Sequence, residues 1–95
     1  MKGNTTTKKE ADEYFERFFE EKEIQEFNYI QTKENHIWEF NYTTEDMLEI
    51  IKSFNTNTKA KIRDTLVKID FHNGDVNHFL NYVFEGYAKM QMEEE

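Results

Sequence analysis

Between Phe27 and Tyr42 the chain alternates large aromatic residues with polar ones, and this pattern limits the fold more than any other segment. Phe27-Asn-Tyr-Ile-Gln-Thr and Ile37-Trp-Glu-Phe-Asn-Tyr42 flank Lys33-Glu-Asn-His36, which reads as an antiparallel hairpin turning between Glu34 and Asn35. A two- or a four-residue loop there gives the same register: Phe27 opposite Tyr42, Tyr29 opposite Phe40 and Gln31 opposite Trp38. The five aromatics then share one side, and Asn28, Thr32, Glu39 and Asn41 the other. Such a ribbon is marginal alone in water, so helices must cover the aromatic side.

The segment before the ribbon supplies one cover. Ala11, Tyr14, Phe15, Phe18 and Phe19 fall at helical spacing, which predicts an amphipathic helix from a capping box at Thr7 and Glu10 to about residue 22 or 23. After the ribbon, Thr43 opens a helix over about 44–54, with Met47, Leu48, Ile51 and Phe54 inward. Asn55 to Thr58 breaks the chain, and a third helix over about 58–71 turns Ile62, Leu66 and Ile69 inward. Asn73-Gly74 stops it, glycine suiting the left-handed conformation of a helix terminus. Asp75 caps a fourth helix over about 76–91. The expected fold is α+β, in the order αββααα, with the helices packed on the aromatic face of the hairpin.

Ninety-five residues fit a single small domain spanning 1–95, with residues 1–6 and 93–95 expected to be disordered. Fifteen aromatics must supply much of a lean core. Without cysteine there is no thiolate metal site and no Cys nucleophile. No signal-peptide pattern and no apolar run of membrane-spanning length is evident, so a soluble cytoplasmic protein is expected. No nucleophile–base pair and no phosphate-cradling glycine loop is present, so the expectation is a non-enzyme without cofactor or metal.

Charge is unevenly spread. Residues 1–49 hold thirteen acidic and six basic residues, and residues 50–92 four acidic and six basic. Glu13, Glu16, Glu20 and Glu23 line the side of the first helix opposite its rings. Seven acids against two bases over residues 10–23 amount to one net charge per about 4 Å of helix, close to the about 3.4 Å of a single nucleic-acid strand. Such a face either keeps the chain soluble or occupies the basic groove of a nucleic-acid enzyme. The candidate partner-binding residues are Glu13, Glu16, Glu20 and Glu23, with Tyr82, off the apolar stripe of its helix, as a contact aromatic.

Three other constellations have simpler readings. Asp70, His72, Asp75 and His78 cluster at a turn, where capping and pairing account for them better than a metal does. Helices three and four outline a helix-turn-helix, with Lys59, Lys61, Arg63 and Asn77 available to nucleic acid. Packed antiparallel helices with a glycine turn are commoner, so direct nucleic-acid binding ranks second. The hairpin aromatics could stack bases, yet strand spacing beneath apolar helices makes them core.

The reading is a small acidic interaction module that binds a larger protein with a basic groove, without membrane attachment. The alternative is a dimeric helix-turn-helix-like regulator, and a homo-oligomer closed through apolar faces is a third. Abundant Lys, Asn, Ile and Phe beside three Ala and two Arg hint at an AT-rich coding sequence. In size, acidity and composition the chain resembles, in general character, the small inhibitors that phages and mobile elements deploy against host defence enzymes, anti-CRISPR proteins among them.

Overall fold

The computed structural model describes residues 8–94. Its elements are α1 (Lys8–Glu21), β1 (Phe27–Lys33), β2 (His36–Tyr42), α2 (Thr44–Ser53), α3 (Thr56–Phe71) and α4 (Val76–Glu94). This is the α+β order predicted. The capping role of Thr7 and the expected disorder of residues 1–6 fall outside the described residues. At the other end Glu93 and Glu94 continue α4.

β1 and β2 pair antiparallel in the predicted register, Phe27 with Tyr42, Tyr29 with Phe40 and Gln31 with Trp38. Glu34 and Asn35 form the two-residue turn, both left-handed, with φ of 52° and 65°. That geometry matches the twist of the strands, although glutamate is a poor residue for it. The helices cover the aromatic face. Phe84 of α4 meets the rings of Phe27 and Tyr42, and Tyr87 meets those of Tyr42 and Phe54. The outer face is less polar than its asparagines suggest, because Ile30 and Ile37 lie exposed there.

The core joins Phe15, Phe18 and Phe19 of α1 to Met47 and Ile51 of α2, Ile62 and Leu66 of α3, and Leu80 and Phe84 of α4. α2 opens on a capping box: Thr43 Oγ1 accepts from the Asp46 N–H, and Asp46 accepts from the Thr43 N–H. Extended backbone at Phe54 and Asn55 separates α2 from α3. α3 starts at Thr56, two residues before the predicted start, because Asn55 takes the cap and accepts from the Thr58 N–H.

The α3–α4 turn corrects one detail. Asn73, at φ 59°, carries the left-handed conformation assigned above to Gly74. The Gly74 N–H donates to the Ile69 carbonyl and the Asn73 N–H to that of Asp70, closing the helix as a Schellman motif. Gly74 is small for another reason: a Cβ there would come within 2.9 Å of Ile69 Cγ2.

A candidate protein-docking face on α1

α1 turns its rings inward as predicted. Ala11, Phe15, Phe18 and Phe19 are buried, and Tyr14 lies half-buried against the Phe15 and Phe18 rings. Burial raises the Tyr14 hydroxyl above its ordinary pKa of 10.0.

Two residues of the acidic side are drawn into the fold. Lys59 of α3 is fully buried and its ammonium lies 2.8 Å from Asp12 Oδ1. Lys52 of α2 forms a salt bridge with Glu16 on the surface. The Glu16 hydrogen bond holds the Lys52 amine above its ordinary 10.5. One of the four candidate glutamates is thus neutralised by the chain itself.

The others remain available. Glu13 and Glu20 are exposed on α1, and no salt bridge joins them to a lysine or arginine among the described residues. Glu23 has left the helix. α1 ends in its own Schellman motif, with Glu23 left-handed at φ 51° and the Ile24 N–H donating to the Phe19 carbonyl. Buried Ile24 supplies the apolar contact that accompanies such ends, and Glu23 stays in solvent.

Between α1 and α2 runs a shallow groove lined by Glu16, Phe19, Glu20, Ile24, Thr44 and Leu48. Carboxylates edge it and apolar carbons floor it. That combination suits a lysine or arginine, whose aliphatic stem can lie on Phe19 and Leu48 while its head meets Glu20. Thr44 and Leu48 were not among the sequence candidates. Leu48, expected inward, is only half-buried, which leaves it at the edge of the groove.

Tyr82 does not join this face. It is 76% exposed on α4, beside a concavity formed with Ile69, Gly74, His78 and Phe79 at the α3–α4 turn.

The residues proposed for other chemistry are committed elsewhere. Lys59 is buried, Arg63 contacts Asp64 through Nε and Nη2, and Asn77 Oδ1 accepts from the Gln25 N–H at 3.2 Å. Of that basic set, Lys61 is the exposed member. Asp70 pairs with Lys22 at 2.8 Å, Asp75 caps α4 by accepting from the His78 N–H, and His72 is the C-cap of α3. Among the described residues no group of three or more His, Cys, Asp or Glu is disposed to hold a metal ion. No described helix is long and apolar enough to cross a membrane. Compared with known protein families, curated proteins and solved structures, the chain finds no match.

Proposed function

We propose that the chain is a small acidic protein-binding module that blocks a basic, nucleic-acid-binding surface of a larger protein. In kind it is an inhibitor of the phage or mobile-element type, of the anti-defence or anti-CRISPR class. The observation that carries the reading is the arrangement at α1: Glu13, Glu20 and Glu23 stay in solvent, and Glu20 edges a groove with an apolar floor. Glu20 and the groove take an anchoring lysine or arginine, while Glu13 and Glu23 steer a cationic surface toward it. Glu16 contributes less than the sequence suggests, because Lys52 already occupies it. General character, namely size, acidity and composition, supports the inhibitor class.

The test is a triple reversal, Glu13→Lys, Glu20→Lys and Glu23→Lys, that leaves the Glu16–Lys52 bridge in place. Tagged wild-type protein should retain a basic protein from its native host, with retention falling as salt rises. The reversed protein, with unchanged circular dichroism, should retain none of it. Equal retention by both would reduce the acidic side to a solubilising surface.

A further inference from the structure

α4 has a second face that the other described residues leave open. Leu80, Phe84 and Ala88 are buried on its inner side. On the outer side Tyr82, Gly86 and Met90 recur every four residues and so form one line along the helix. Met90 is 58% exposed. Beside this line an apolar groove runs between α4 and α3, floored by Ile62 and Val83.

Gly86, at the middle of the line, is not held to glycine by any described neighbour. A Cβ built on it meets nothing within 4 Å, and glycine is the poorest helix former after proline. A bare backbone position on an exposed apolar line allows the close approach of another helix.

We propose that this face binds a second copy of the chain, α4 against α4, antiparallel and crossing near Gly86. Charge selects both the occupant and its direction. Glu85 and Lys89 flank the line, bridged to each other at 3.0 Å and about half exposed. An antiparallel copy crossing at Gly86 brings Glu85 of each chain beside Lys89 of the other, twice over. It also lays Tyr82 beside Met90 of the second copy, a ring–thioether contact. A parallel two-fold copy would instead set the Glu85–Lys89 flank beside Val83 and Tyr87 of the other chain, where neither charge finds a partner.

The helix ends agree with this direction. α4 has no basic residue in its last turn, and Glu93 there faces the negative end of its own dipole. Antiparallel pairing sets Glu93 beside the first turns of the other α4, where the dipole is positive. The contact spans about 20 Å of helix with the α3 rim beside it. A contact of that length is short for a specific interface, so the dimer exchanges readily, with a dissociation constant on the order of 10–100 µM. This inference does not rest on the acidic face of α1.

Sedimentation velocity of the full chain from about 5 to about 500 µM should show the sedimentation coefficient rising from monomer toward dimer. Gly86→Leu places a side chain at the crossing yet meets open space in the monomer. It should keep or raise the melting temperature and weaken the dimer at least about tenfold. Tyr82→Glu, on the exposed side, should do the same to the dimer without unfolding the chain. Because the chain has no cysteine, single substitutions report direction. Tyr82→Cys mixed with Met90→Cys should oxidise chiefly to the mixed pair. A monomer at every concentration, a Gly86→Leu or Tyr82→Glu dimer as tight as wild type, or self-pairs dominating the oxidised mixture would overturn the proposal.

Discussion

Two lysine–carboxylate pairs stand one helical turn apart on α1, and they are the same chemistry in different surroundings. Asp12–Lys59 has its ammonium wholly inside the protein and its carboxylate mostly covered, whereas Glu16–Lys52 is substantially solvated at both ends. The inner pair ties α1 to α3 and cannot lose one member without stranding the other in a low-dielectric site. The outer pair ties α1 to α2 but can exchange either member for water at little cost. Distance alone would rank the two alike; burial separates structural from adjustable.

Asp12→Ala should destabilise the fold by about 3 kcal/mol, because it leaves a buried ammonium unpaired. Asp12→Leu combined with Lys59→Met should recover most of that loss, since an apolar pair of similar volume avoids the desolvation cost. Urea unfolding of the single and double variants checks both statements, and a double variant as weak as Asp12→Ala would mean the charges themselves hold α1 to α3. Next in size is Glu23→Gly, which relieves a non-glycine residue of its left-handed backbone at the turn leaving this helix. It should stabilise the protein by about 1 kcal/mol, visible as a higher urea midpoint at unchanged slope.

Lys52→Ala should cost under about 1 kcal/mol, shrinking further in high salt. It should also strengthen any cationic partner's hold on α1, because Glu16 becomes free. A salt-independent loss would move the outer pair into the class of the inner one. The smallest effect is alkaline. Tyr14 and Tyr42 are raised above 10.0 by burial, and Lys52 above 10.5 by its bond to Glu16. Each group holds its proton more tightly folded than unfolded. Their stabilising contribution is therefore complete below about pH 10 and lost as pH rises through the folded values. Melting temperatures between about pH 8 and pH 11 should fall at the upper end, less so in Tyr42→Phe.

The hairpin was legible because its signal is local: a two-residue period on both sides of a turn fixes register without help from the rest of the chain. Helix boundaries were less so. Asn55, Thr56, Asn57 and Thr58 are all capping residues, and packing of Ile62 and Leu66 decides which one is used. Lys59 was missed as an inward residue because lysine ordinarily lies outside. Its position, three before Ile62 and seven before Leu66, places it on the buried line, and the acid that receives it is 47 residues away. Glu23 reads as the last rung of a helical stripe because nothing in a carboxylate announces a left-handed terminus; the apolar Ile24 after it is the available sign. The groove beside Leu48 arises where two helices meet, so no single segment could reveal it.

A sheet of two strands has no interior strand. Among the described residues β1 and β2 pair only with each other, so each strand has an edge without a strand beside it, and Ile30 and Ile37 lie on the outer face between those edges. Should α4 lift away, the aromatic face would open, two isoleucines would already stand on the other face, and both rims would be ready to accept a foreign strand. Shelf life at high concentration would then be set by how often that helix detaches, with Lys33, Glu34 and Glu39 as the charges that slow cross-β stacking.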